Sequence, residues 1–219
     1  MRILGVDPGS RLTGYGCVEA HGRKIIPLTH GTLRLSYPKS QTPASFEDRL
    51  LLLHQGLSEV ILQWKPQVVA VEKVFFAKNV VSALKLGQAR GVVLLTAKMH
   101  GLSVAEYSAT EVKSAITGYG RADKQQVAQI LQLMVGRQPF ETPDASDGLA
   151  LAICHAQKSD PGGQVSGGAQ ATYWAFKNES PKKRQSMAQA LGLNDRRGSD
   201  LSQAKPALTN SRRGNRNFR

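Results

Sequence analysis

Asp7, Glu72, Asp144 and Asp147 stand where elements of this 219-residue chain begin or end. Asp7 closes the apolar run Ile3, Leu4, Val6 and is followed by the turn residues Pro8 and Gly9. Taken alone, it reads as a capping Asp at a strand-to-turn junction. Glu72 closes a second run, Val68-Val69-Ala70-Val71. Asp144 and Asp147 are three apart on a helix and share a face. Acids are common in a first helical turn for reasons of dipole alone. The set says more than its members. Gathered in one site, four carboxylates would carry about −4, which repels itself and any phosphate. Hard divalent cations with oxygen ligands resolve that conflict, and Mg²⁺ suits such donors best. Two ions about 4 Å apart would clamp the attacking and leaving oxygens of a phosphodiester and generate a hydroxide. The chemistry suggested is metal-dependent phosphoryl hydrolysis.

The elements that must position these acids follow from the pattern. Strand one covers residues 2–7, strand two 11–19, and strand three 24–35, where Leu33 and Leu35 alternate with Thr32 and Arg34. Their connections are too short for crossover helices, so the three form an antiparallel meander. Phe46, Leu50, Leu53, Leu57, Ile61 and Trp64 mark an amphipathic helix that Lys65-Pro66 ends. The run ending at Glu72 reads as a central parallel strand. A helix is expected over 80–99, with Ala83, Gly87 and Gly91 on one face. Small residues at that spacing admit a close neighbour, either the sheet or a second subunit's helix. A short strand at 103–107 and helices at 110–116 and 124–134 come next. Thr142 as N-cap and Pro143 at the first helical position open the last helix. This order is that of a ribonuclease-H-like α/β domain. It has a mixed five-stranded sheet, three strands antiparallel and then two parallel, with helices on both faces. Asp7 and Glu72 then end on the same side of adjacent strands, where an open α/β sheet binds its ligand.

The charge of +13 and pI near 10.0 point to a polyanionic partner. Residues 157–219 carry 12 Lys and Arg against 4 Asp and Glu, a net +8. That segment is rich in Gly, Ser, Gln and Asn, and reads as a basic, disordered tail (159–219) behind a folded α/β domain (1–158). Cys17 and Cys154 show no zinc spacing and read as buried thiols of a cytoplasmic protein. No apolar run approaches the roughly 18 residues of a membrane span, and no signal-like segment precedes strand one.

Several stretches, in order, resemble one family. They are Ile3-Leu4-Gly5-Val6-Asp7-Pro8-Gly9-Ser10-Arg11 with Thr13-Gly14-Tyr15-Gly16, Val71-Glu72-Lys73-Val74-Phe75-Phe76-Ala77-Lys78-Asn79, Ser82-Ala83-Leu84-Lys85-Leu86-Gly87-Gln88-Ala89-Arg90-Gly91 and Asp144-Ala145-Ser146-Asp147-Gly148-Leu149-Ala150. The family is that of the RuvC Holliday-junction resolvases, and the resemblance covers roughly residues 1–156. It implies that Asp7, Glu72, Asp144 and Asp147 hold two Mg²⁺ ions per subunit, with Mn²⁺ able to substitute. It implies a homodimer that nicks two opposed strands of a four-way junction in recombination and repair, beside a RuvA/RuvB-type branch-migration complex. By the same resemblance Lys113 and Lys124 support cleavage and hold phosphate, and Phe75 stacks on junction bases. Without it, the lysines read as solvated helix-terminal residues and Phe75 as a core Phe beside Phe76.

Two other classes fit parts of the sequence. The Gly-Val-Asp-Pro-Gly-Ser turn also looks like the first phosphate loop of actin-like ATPases and sugar kinases, but those need a second copy of the domain and no internal repeat is seen. A catalytically dead junction binder would usually have lost one of the acids, and all are in place.

Overall fold

A computed structural model describes residues 1–22, 24–36, 44–73, 79–135, 140 and 142–159. The strands are β1 (Arg2–Asp7), β2 (Leu12–His21), β3 (Lys24–Arg34), β4 (Val68–Glu72) and β5 (Ser103–Tyr107). The helices are α1 (Phe46–Trp64), α2 (Val80–Met99), α3 (Ala109–Thr117), α4 (Lys124–Met134) and α5 (Pro143–Lys158). The sheet order is β3-β2-β1-β4-β5. β1 is antiparallel to β2 and parallel to β4, and β4 is parallel to β5. The expected ribonuclease-H-like arrangement is therefore present. Boundaries moved slightly: β2 runs on to His21, because Gly22 at φ +55 supplies the turn.

Alternate residues of a strand face opposite ways, and here both faces are covered. Ile3, Val18, Val68 and Ala70 pack under α3, α4 and α5 with Ile116, Leu131, Leu149 and Ile153. Leu4, Val6, Val69 and Val71 pack on the other face with Leu53, Leu57 and Ile61 of α1 and Val93 of α2. That parity aims the acids. Asp7 shares a face with Ile3, and Glu72 with Val68 and Ala70, so both carboxylates lie on the α5 side. Val6 pairs with Val71, which puts Asp7 and Glu72 side by side at the next step of the register.

Helix α5 is set against β1 and β2 backbone to backbone. A Cβ on Gly14, the residue paired with Asp7, would lie 1.8 Å from the Asp144 carbonyl oxygen. One on Gly148 would lie 2.5 Å from the Tyr15 Cα. Only glycine permits either approach. Thr142 caps α5, accepting from the Ala145 N–H at 3.3 Å, with Pro143 in the first turn as expected.

The face bearing Ala83, Gly87 and Gly91 does not pack on the sheet, because a Cβ on Gly87 or Gly91 meets nothing within 4 Å. The face of α2 that enters the core instead carries Ala89, Val93, Thr96 and Ala97. Among the described residues α2 is also long and apolar enough, by length and composition, to cross a membrane, at a mean hydropathy of 1.3. Lys85 and Arg90 interrupt its apolar run, which hid this from a reading of uninterrupted stretches. The basic tail from residue 160 onward lies outside the described residues.

Candidate active site at the ends of β1, β4 and α5

Asp7 ends the central strand, followed by a turn that Thr13 closes. The Gly9 N–H donates to Thr13 Oγ1 at 3.2 Å, and the Thr13 hydroxyl donates to the Gly9 carbonyl at 3.3 Å. Glu72 ends β4, and the next residue is tied down by the Lys73 N–H donating to the Tyr107 carbonyl at 2.8 Å. The first turns of α5 bring Asp144 and Asp147 over the same edge, through the glycine contacts above. All four acids expected from the sequence come together here.

Their proximity shows in their electrostatics. Burial, and then the charges of Asp147, Glu72 and Asp144, push the Asp7 carboxyl from 3.8 up to about 7, with Lys124 pulling the other way. Burial and then Asp147 also raise Glu72, against Lys124 and Lys113. Both expected lysines thus lie within electrostatic reach of the acids. Lys124 Nζ reaches Asp147 Oδ2 at 3.1 Å, and this contact holds the lysine's pKa above its ordinary value. Lys124 starts α4 behind the Asp123 cap. Lys113, on α3, faces Glu72 closely enough to favour its charged form. Phe75 lies outside the described residues.

Among the described residues no three His, Cys, Asp or Glu side chains close around a common point tightly enough to hold an ion. Asp147 is instead paired with Lys124. The donors are nevertheless all hard oxygens on three elements, sharing an excess of negative charge. That is the donor chemistry that divalent Mg²⁺ or Mn²⁺ fits.

Sequence reasoning missed Glu111. It accepts from the Ser108 N–H at 2.9 Å and pairs with Lys158 Nζ at 2.5 Å and Lys73 Nζ at 4.0 Å. The Lys158 contact, then Ser108, holds its carboxyl down to about 2. The capping box Ser108-Ala109-Thr110-Glu111 was the signal that could have found it.

The cluster has a consequence for stability. Folded Asp7 keeps its proton up to about pH 7, whereas an unfolded Asp releases it near 3.8. Between those values the folded chain binds more protons, so the contribution is fully present below 3.8 and is lost as pH rises through 7. In chelator, the melting temperature of the wild type should therefore fall more steeply than that of Asp7→Asn across this window. Added Mg²⁺ should raise it more at the upper end than at the lower. Scanning calorimetry at matched ionic strength checks this, and parallel curves for the two proteins would contradict it.

The sequence profile of the family described as crossover junction endodeoxyribonuclease RuvC matches residues 3–155. The chain belongs to the RuvC family. A RuvC of Syntrophotalea carbinolica is 49% identical over 156 residues, covering 71% of this chain and 94% of the relative. A RuvC of Shewanella amazonensis is 49% identical over 153 residues, covering 70% and 85%. Among solved structures, T. thermophilus RuvC in complex with a Holliday junction substrate is 31% identical at a TM-score of 0.65, covering 74% of this chain and 96% of that one. The yeast mitochondrial Holliday junction resolvase, 15% identical at a TM-score of 0.50 and covering 70% and 78%, shares the fold. The RuvC match takes in the residues that carry all four acids and both lysines.

Proposed function

We propose that this chain is an endodeoxyribonuclease that resolves four-way DNA junctions by symmetric, metal-dependent nicking of two opposed strands, in recombination and repair. The observation that carries this reading is the meeting of Asp7, Glu72, Asp144 and Asp147 at the ends of the central strands of a RuvC-family chain. In this reading those four side chains hold Mg²⁺, two ions per subunit. When bound, such ions activate water and neutralise charge on the scissile phosphodiester. The protein's own part is positional. The strand ends and the α5 backbone fix the acids. Lys124, bonded to Asp147, and Lys113, beside Glu72, add positive charge where a phosphate must approach a negative cluster. The basic segment 157–219 would neutralise further phosphates and release counterions, while Phe75 would stack on a junction base. A RuvA/RuvB-type motor as partner and a cytoplasmic site of action, away from the membrane, belong to the same proposal.

The test is a junction-nicking assay in Mg²⁺, with loss of cleavage in EDTA and recovery on adding the ion back. Cleavage indifferent to chelator would remove the carboxylates from the chemistry.

Symmetric nicking needs two sites related by a twofold axis, and such an interface uses one patch twice. Helix α2 offers the patch. Val80, Val81 and Leu84 are 73, 61 and 64% exposed, and Gly87 and Gly91 leave room beside them. Gly87→Leu adds bulk where the folded chain has none, so it should fold normally, weaken self-association and reduce paired nicking. Sedimentation alongside the nicking assay checks this. A wild type that is monomeric while resolving junctions would contradict the dimer.

A further inference from the structure

Arg90 lies on α2 next to Gly91, and neither the four acids nor the proposed dimer patch uses it. Its side chain is only 18% exposed. One guanidinium nitrogen, Nη2, pairs with the Glu106 carboxylate, and Nε donates to the Glu72 main-chain carbonyl at 3.4 Å. Glu106 lies on β5 in register with Val71 of β4. One rigid fork from α2 therefore joins the last residue of β4 to β5. It does so from the face opposite α5, behind the carboxylates. Charge neutralisation needs only Glu106. The second contact, to the backbone of a candidate metal ligand, is the one that points to a role in the site.

We propose that Arg90 is a positioning residue for nicking, holding the Glu72 main chain from the α2 side and so fixing where the Glu72 carboxylate stands on the other. Glu106 is its anchor. The inference rests on the reading of the four acids as the nuclease centre. A guanidinium makes both contacts at once, whereas an ammonium is a point charge and makes one.

The experiment uses the full chain as wild type, Arg90→Gln, Arg90→Lys and Glu106→Gln, with Asp7→Asn as the inactive control. Three quantities are read: single-turnover nicking rate against Mg²⁺ concentration, junction affinity in Ca²⁺, and melting temperature. Arg90→Gln and Glu106→Gln should each lower the rate per folded molecule about ten- to hundredfold and raise the half-saturating Mg²⁺, the usual cost of losing a group that orients a metal ligand. Junction affinity should stay unchanged, and Arg90→Lys should fall between. Wild-type rates in Arg90→Gln would overturn the proposal, as would a rate loss that merely tracks unfolding. So would weaker junction binding by Arg90→Gln with stronger binding by Glu106→Gln, which would make Arg90 a DNA contact that Glu106 restrains. A wild type that nicks nothing would overturn the underlying reading instead, and this inference with it.

Discussion

Asp7→Asn should abolish junction cleavage while leaving junction binding intact or tighter. Asn keeps the size of the side chain and can still donate and accept hydrogen bonds. It removes a carboxylate that burial and three neighbouring acids push up to about 7, so the folded chain should be more stable for the change, not less. DNA phosphates should also approach more easily when metal is scarce. Yet Asp7 stands at the end of the central strand, with Glu72 and the first turns of α5 beside it, and is the central member of the proposed metal site. A loss of about 10³-fold or more corresponds to roughly 4 kcal/mol of transition-state stabilisation. Glu72→Gln, Asp144→Asn and Asp147→Asn should behave alike, and combinations should fall far short of additive, because the four act as a unit. A gel shift in Ca²⁺ beside cleavage in Mg²⁺, on one preparation, measures both halves. Nicking by Asp7→Asn within about tenfold of wild type would move the metal site elsewhere.

Gly14→Ala should be nearly as damaging, although it adds a single methyl group and touches no acid side chain. Its Cβ would lie 1.8 Å from the Asp144 carbonyl oxygen, which is backbone and has no rotamer to escape by. The helix must retreat from the sheet or the strand must bend. Overpacking of this kind costs roughly 1–3 kcal/mol. The displacement falls on the first turn of α5, which carries Asp144 and Asp147, and a misplacement of about 1 Å can cost about 10²-fold in rate. Melting temperature and single-turnover nicking on the folded fraction separate the two effects. Wild-type nicking by the folded fraction would show that the backbone contact does not set the geometry.

Much of this site was legible in the sequence, for identifiable reasons. The runs ending at Asp7 and Glu72 are apolar without a break, as strands covered on both faces must be. Thr142-Pro143 marks a helix start with little ambiguity, because cap and proline each act through the local backbone. What stayed hidden depends on contacts across the sheet. The small residues at 83, 87 and 91 announce a close approach but not to what, and the structure turns them away from the sheet. Gly14 and Gly148 could be seen, but that they let α5 rest on β1 and β2 could not. Arg90 reads as one more basic residue on a helix until Glu106 and the Glu72 carbonyl are found beside it.

The claim on which everything rests is that four converging carboxylates make this chain a nuclease for four-way junctions. It is tested most directly by labelling each of the four strands of a synthetic junction in turn and incubating it with the wild type in Mg²⁺, beside the matching duplex. The result expected is paired nicks at symmetric positions in two opposed strands, with the duplex intact. Equal cutting of duplex and junction, or nicks scattered over all four strands, would contradict it.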